Sequence, residues 1–402
     1  MKRLPVLLAV LLFVTPAFAA DWTFYGSERM ATWYADRNYG SLYNAPSGFN
    51  HTNDAGTEWY LQSNSRFGAK VKADQVTGLI EMGLNAGGST SVGAAADDVV
   101  KVRRAYGVWQ VNDLVRLKVG KDFSPATDVI SNMAFDADKD MYGIGNFYAK
   151  RPPYIGLYIG DFELAFLTPV QGQTGGIGST SSGVMTPATT KALSQSEAPG
   201  NPDVYLPKVE AAYQWRLGAG YIRPYAGFQW YQVHQTAAPN YSANPGSLQR
   251  EADVLSYVLG VSTVWNIGAF SIGGQLSYGQ NESECDWDNG YNAKNASMPY
   301  LQLFGKGVSD VHTLQALIVP GLKLTDVLRF EAGLGCRVDN ADNAPGYSKP
   351  DASWATYVQA VITLAPGVYI VPEVGYIDYV KTRADVNEGA QWYAGAKWQI
   401  DF

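Results

Sequence analysis

The chain has few of the residues that most often carry chemistry. It holds only two cysteines in 402 residues, Cys285 and Cys336. Two thiols cannot build a disulfide-dense scaffold, and their spacing gives no C-x-x-C metal or redox motif. Only three histidines occur, His51, His234 and His312. The first two fall in expected loops and the third on an apolar row, so no Ser-His-Asp assembly is supported and the chain does not read as an enzyme. The glycine-rich stretch GQTGGIGSTSSG (172–183) lacks the Gly-Lys-Ser/Thr of a phosphate loop and reads as a surface loop. Charged residues are 17 % of the chain, and acidic ones outnumber basic ones. That balance gives no footprint for a nucleic-acid partner. After Ala20 no run approaches the ~18 apolar residues of a membrane-spanning helix.

What the chain has in quantity is glycine and aromatics, with 42 Gly, 26 Tyr and 11 Trp. It opens MKRLPVLLAVLLFVTPAFA, where Lys2 and Arg3 precede an apolar run from Leu4 to Val14 and the small-residue pattern Ala17-Phe18-Ala19. This is the layout of a secretory signal peptide, so residues 1–19 are expected to be removed and residues 20–402 exported. The exported part has 28 basic and 37 acidic residues, a balance near −9. Such a chain is either a β-rich extracellular protein or an outer-membrane barrel.

Patterning separates the two. The last strand reads Trp392, Ala394, Ala396, Trp398, Ile400 and Phe402 on one row. Its other row is Gln391, Tyr393, Gly395, Lys397, Gln399 and Asp401. A period of two with one apolar face is a half-buried strand. The same alternation runs through 58–72, 205–217 and 329–338, where the opposite rows carry lone charges and glycines suited to a wet interior. Tyr205 and Trp215 stand at the two ends of one apolar row, which spans roughly 25 Å of membrane normal for a tilted strand.

Strands are expected near 22–34, 57–73, 77–87, 99–112, 114–121, 150–159, 161–169 and 204–217. Eight more are expected near 221–233, 253–265, 269–279, 311–324, 327–338, 354–364, 368–380 and 390–402. The connections alternate short and long, and even parity keeps the ambiguous stretch 298–307 inside the sixth long loop. The expectation is an all-β chain forming one 16-stranded antiparallel transmembrane β-barrel, with short periplasmic turns and long extracellular loops.

The start ADWTFYGSERM, the closing AKWQIDF, the strand count and a long third loop resemble the general bacterial porins. Within that group, VRRAYGVWQ followed by LVRLKVGKDFSP is similar to the homotrimeric porins of sulfate-reducing bacteria. The resemblance covers residues 20–402. It implies a homotrimer in the outer membrane of a Gram-negative bacterium, surrounded by lipid and lipopolysaccharide and passing small hydrophilic solutes and ions by diffusion. It also implies that Phe402, with Ile400 and Trp398, is read by the barrel-assembly machinery, and that the third loop folds into the lumen. A substrate-selective channel on the same barrel, for a sugar or an organic anion, is the alternative. Tyr60, Tyr225, Tyr231 and Tyr393 have lumen parity, but they stand on strands too far apart in order to favour a sugar ladder.

The third loop, DFSPATDVISNMAFDADKDMYGIGNFYAK (122–150), carries Asp128, Asp136, Asp138 and Asp140. The lumen rows of the preceding strands carry Arg66, Lys70, Lys72, Arg116 and Lys118, and strict alternation sends one of Arg103 and Arg104 inward. An acidic loop opposite a basic wall would set a transverse field across the constriction. The overall acidic balance adds the expectation of a mild cation preference. Asp136, Asp138 and Asp140 also share the spacing that opens a calcium loop. Met141 stands where that loop needs glycine and Phe147 where it needs an acid, so the match reads as accidental and no cofactor is expected. Finally, Cys336 near a strand's outer end and Cys285 in the preceding loop are expected to pair as a disulfide.

Overall fold

Nearly every alternating segment of the sequence becomes a hydrogen-bonded strand. The computed structural model describes residues 20–38, 53–87, 96–170, 201–236, 249–287, 300–301, 308–342, 349–381 and 387–402. The expected signal peptide, His51 and the glycine-rich stretch lie outside the described residues.

Along the first half, β1 is Asp21–Asn38, β2 is Asn53–Leu61 continued by Arg66–Ala73, β3 is Val76–Gly87 and β4 is Ala96–Gln110. Next come β5 (Val115–Lys121), β6 (Pro153–Ile159), β7 (Phe162–Leu167) and β8, which runs in three pieces, Asn201–Asp203, Lys208–Tyr213 and Trp215–Leu217. The second half has β9 (Gly220–Thr236), β10 (Gln249–Ile267), β11 (Phe270–Gln280) and β12 (Val311–Lys323). It ends with β13 (Leu328–Ala341), β14 (Asp351–Ala365), β15 (Val368–Lys381) and β16 (Ala390–Asp401). Each strand pairs antiparallel with the next, and β16 returns to β1 from Ser27↔Asp401 to Asn38↔Ala390. The sixteen strands therefore close, and no backbone edge is left to face an apolar medium. Tyr300–Leu301 and Val308–Ser309 pair with each other in a separate ladder outside the barrel sheet, and the rest of 298–307 lies outside the described residues.

The outer face is apolar, with aromatics gathered at both ends as a membrane barrel requires. At the long-loop end Tyr34 packs on Trp392 at 5.3 Å and Trp354 on Tyr376 at 5.2 Å. At the short-turn end Trp22 meets Phe24 and Tyr213 meets Trp215. His312 follows its outward parity and stacks on Tyr278. Phe402 continues the closing ladder: its N–H donates to the Gly26 carbonyl, and its own carbonyl accepts from the Gly26 N–H. The ring lies over Gly26, where a Cβ would stand 2.4 Å from it. That ring is still 71 % exposed on the outer face.

Two irregularities correct the simple alternation. Met30↔Leu61 and Ser27↔Arg66 are successive pairs, so β2 carries two extra residues against β1. This bulge turns Ser63 and Ser65 inward, although the alternation through 58–72 sets them on the outward row with Trp59 and Phe67, and Ser65 binds the backbone of Arg29. In β4 the register steps from Glu81↔Arg104 to Met82↔Val102, leaving Arg103 unpaired in the ladder. The bulge sends both arginines inward rather than one.

The expected disulfide is absent, and both cysteines are free thiols. Cys336 is exposed on the outward row of β13, whereas Cys285 is buried on a 3-10 turn (Glu282–Cys285) packed inside the barrel. The barrel wall separates them. Alkylation of native, never-reduced protein followed by peptide mass analysis should recover both residues as thiols after unfolding. A Cys285–Cys336 cross-linked peptide would show the wall placement to be wrong.

Candidate functional site: the lumen constriction

The third long connection, loop 3 (residues 122–152), has a composition unlike a solvated surface loop. Ile130, Met133, Phe135, Met141, Ile144 and Phe147 punctuate it, and all are buried. It folds into the barrel because wall carboxylates accept its backbone N–H groups. Glu373 on β15 accepts from Ala134 at 2.7 Å and Phe135 at 3.0 Å, the N-terminus of a one-turn helix α1 (Phe135–Asp138). Tyr393 donates to the same carboxylate at 2.9 Å. Glu331 on β13 accepts from the Asn132 backbone at 3.0 Å and its side-chain amide at 2.9 Å. Glu210 on β8 takes the Ala126 N–H at 3.0 Å. Each hydrogen bond to a charged group contributes about 1.5–3 kcal/mol, so together they offset part of the cost of ordering the crossing segment.

Apolar contacts complete the grip. Phe135 stacks on Tyr393 with ring centroids 3.7 Å apart, and Trp33 meets both rings edge-on. On the far wall the loop backbone touches strand backbone: a Cβ on Gly335 would lie 2.2 Å from the Ile144 carbonyl oxygen. Gly145, at φ +100°, has equally little room beside Ala316. Only glycine permits that approach.

Loop 6 (281–310) enters as well, through the turn that carries Cys285. Trp287 donates to Glu210 at 2.8 Å, and Lys208 donates to the Cys285 carbonyl at 2.8 Å. Cys285 and Trp287 share one buried cluster with Phe147 and Ala149 of loop 3 and with Tyr225 and Val258 of the wall. The β8–β10 side of the lumen is thus packed rather than wet. Tyr225 and Tyr231 go into this packing, Tyr393 belongs to the cluster around Trp33 and Tyr60 packs against that cluster, so none of the four forms a sugar-binding ladder.

The open space lies on the other side. A cavity of about 630 Å³ runs between loop 3 and β1, β2, β4 and β13–β16. Among the described residues, eight cationic side chains line it: Arg29, Arg66, Lys101, Arg103, Lys139, Arg151, Arg329 and Lys397. Only three carboxylates do, Asp138, Asp140 and Asp401.

The expected acidic loop and basic wall meet differently from a field across water. Asp138 is in direct contact with Arg29 at 2.5 Å, Lys397 at 2.9 Å and Asn64 at 2.6 Å. Burial alone would raise its pKa, but Lys397 and Arg29 hold it below the ordinary range. With its oxygens so engaged it is not a calcium ligand, and no metal-holding group of three His, Cys, Asp or Glu occurs among the described residues. Asp140 keeps part of its surface open to the cavity. The enclosing protein, and then the charge of Asp138, push its pKa well above the ordinary range. Asp128 stands apart on the β9–β10 side, accepting from Tyr221 at 2.9 Å and Ser262 at 2.5 Å. The Asp136 side chain lies outside the described residues.

The wall cations divide into groups. Arg66 and Arg103 share Glu81 at 3.7 and 3.0 Å, and that carboxylate also accepts from Tyr25. Arg104 and Lys118 both pair with Asp122 at the root of loop 3. Arg116 lies over the ring of Tyr158, Lys70 over Tyr25, and Lys72 is exposed near the short-turn end. Alternation could not have found Arg29, Lys397 or Glu373 as loop anchors, since a lumen row shows charge but not its partner. Arg151 and the docked loop 6 were also missed, although Trp287 and Cys285 in a supposed surface loop were a signal.

No protein-family model matches the chain, and no curated protein matches it. Among solved structures it resembles the outer membrane channel DcaP of Acinetobacter baumannii, at 15 % identity and TM-score 0.65, covering 95 % of this chain and 97 % of that one. It resembles OmpF of Salmonella typhi in complex with daunomycin, at 10 % identity and TM-score 0.54, with 94 % and 97 % covered. It also resembles the anion-selective porin from Comamonas acidovorans, at 12 % identity and TM-score 0.50, with 95 % and 100 % covered. At these identities the likeness shows the fold, an outer-membrane β-barrel.

Removing one anchor should loosen the constriction without opening the barrel. Glu373→Ala strands two backbone N–H groups, at about 1–3 kcal/mol each. Single-channel recordings should show greater open-channel noise and a higher mean conductance, with Glu373→Gln affected less because its amide oxygen still accepts. Wild-type noise and conductance in Glu373→Ala would mean that loop 3 does not set the narrowest section.

Proposed function

We propose that the protein is an outer-membrane diffusion porin whose constriction favours anions. The observation that carries this is the cavity lining, eight cations against three carboxylates among the described residues. Asp138 is neutralised by contact, and Asp140 holds its proton more tightly than an ordinary carboxyl. Among the described residues neither Arg151 nor Arg329 has a carboxylate partner. The whole-chain charge, which favours cations, does not decide the selectivity of the constriction. An ion in the pore responds chiefly to charges within ~8 Å at physiological salt, not to the sum over the chain.

Under a salt gradient in planar bilayers, the reversal potential should have the sign of anion preference. Arg151→Gln with Arg329→Gln should move it toward cations, most at low salt. Cation preference in the wild type would refute the reading. An organic-anion-selective channel is a second reading, favoured by Arg151 lying 4.3 Å over Phe123 beside the stacked rings of Tyr142 and Tyr148.

The chain would work as a homotrimer among lipid and lipopolysaccharide, inserted by the barrel-assembly machinery through Trp398, Ile400 and Phe402. The family nearest to it would be the porins of sulfate-reducing bacteria. Ala69, Ala394 and Ala396 on the outward rows beside the closing seam support close contact between protomers. Unheated detergent-solubilised protein should therefore run well above the monomer mass.

A further inference from the structure

The docked turn of loop 6 holds a carboxylate that the pore reading does not use. Glu284 is fully buried at the turn's centre. One of its oxygens accepts from the Tyr231 hydroxyl on β9, and the other, Oε1, has no hydrogen-bond partner. No cation pairs with it among the described residues. The charged groups packed around the turn are engaged with other partners. From β8, Glu210 is buried and already accepts from Trp287 and Ala126. Lys208, also from β8, sits 3.8 Å from Glu210 and donates to the Cys285 carbonyl instead. Glu282, on the turn itself, is buried and accepts from Gln315 of β12 at 3.2 Å. Among the described side chains β10 contributes Ser256, whose hydroxyl donates to the Asn281 carbonyl. Asp286, just past the turn, pairs with Lys150 of loop 3.

Glu284 thus lies buried with no cation against it among the described residues, while Lys208 is engaged by Glu210 and the Cys285 carbonyl. An ionised carboxylate in such a place is costly unless a cation meets it. The turn is short. It is one 3-10 turn between two residues in the left-handed region, Asn281 at φ 51° and Asp286 at φ 61°. We infer that this turn is a proton-controlled latch: with Glu284 protonated it stays docked on β8–β10, and ionisation of Glu284 releases it toward the long-loop end. Release would uncover the wall at Ala212, Tyr225 and Val258 and widen the packed half of the lumen.

The direction follows from linkage. Burial pushes the Glu284 carboxyl up to about 7 from an ordinary 4.5, with the Tyr231 hydrogen bond opposing it. The docked state therefore binds the proton more tightly than the released one. Docking is at full strength below the ordinary value and weakens as pH rises from there to about 7. Above that it is weaker by a constant factor, on the order of 300-fold.

The test uses the full-length porin carrying Cys336→Ser, so that Cys285 is the single thiol. A membrane-impermeant maleimide reports exposure of the turn between pH 5 and 8.5, and Glu284→Gln in the same background corrects for the thiol's own ionisation. The labelling rate with Glu284 in place, divided by the rate of the E284Q variant, should be about four at pH 5. It should rise by about one to two orders of magnitude by pH 8.5, with single-channel conductance rising in parallel. A flat ratio overturns the latch. Tyr231→Phe, which keeps Glu284, removes the hydrogen bond that favours the ionised form and should move the transition to higher pH. A midpoint unchanged or lowered in that variant also overturns it. Labelling does not depend on ion selectivity, so the latch and the anion reading fail separately.

Discussion

The pore depends on wall carboxylates accepting the backbone N–H groups of a loop that crosses the lumen. Loop 3 has one turn of helix and no sheet of its own, so its backbone polar groups would be stranded inside the barrel without acceptors. Glu373, Glu331 and Glu210 supply those acceptors from three different strands. Once they fix the backbone, Phe135 can stack on Tyr393 and Ile144 can press on Gly335. The loop then behaves as part of the wall. A conventional picture of charged loop facing charged wall across water does not describe this arrangement, because the closest opposite charges are in contact.

That placement also sets the character of the open space. The lumen is split unequally. On the β8–β10 side, loops 3 and 6 fill it with buried aromatic and aliphatic side chains. On the β1 and β13–β16 side it stays open and is lined chiefly by cations. Part of that charge is balanced in place, since Glu81 binds Arg66 and Arg103 and Asp138 binds Arg29 and Lys397. Neither Arg151 nor Arg329 has a carboxylate partner among the described residues, and Asp122 is taken by Arg104 and Lys118. An acidic protein can thus carry a basic pore. Net charge is a sum over the whole surface, while permeation samples only the few side chains within a screening length of the path.

Most of the barrel was legible in the sequence. The period-two rows of β1–β16 and the alternation of short and long connections gave the strand number, because a closed sheet with one apolar face imposes that periodicity on every strand. The departures were local. The bulge at Gln62–Ser65 reversed two serines, and the bulge at Arg103 brought a second arginine inward. Cys336 followed its row to the outer face, which was itself the reason it could not reach Cys285.

The sequence by itself determined the cylinder: which residues face out, where the strands turn, and that the chain closes on Phe402. These are short-range properties of alternation and turn chemistry. The tertiary structure alone decided which charges meet. Asp138 with Lys397, Glu373 with Ala134 and Lys208 with Cys285 are brought together from distant parts of the chain by closure and by loops folding inward. A lumen row shows that a charge points into the barrel. Whether it faces water, a loop amide or an opposite charge depends on what fills the barrel at that height, and no local pattern records it.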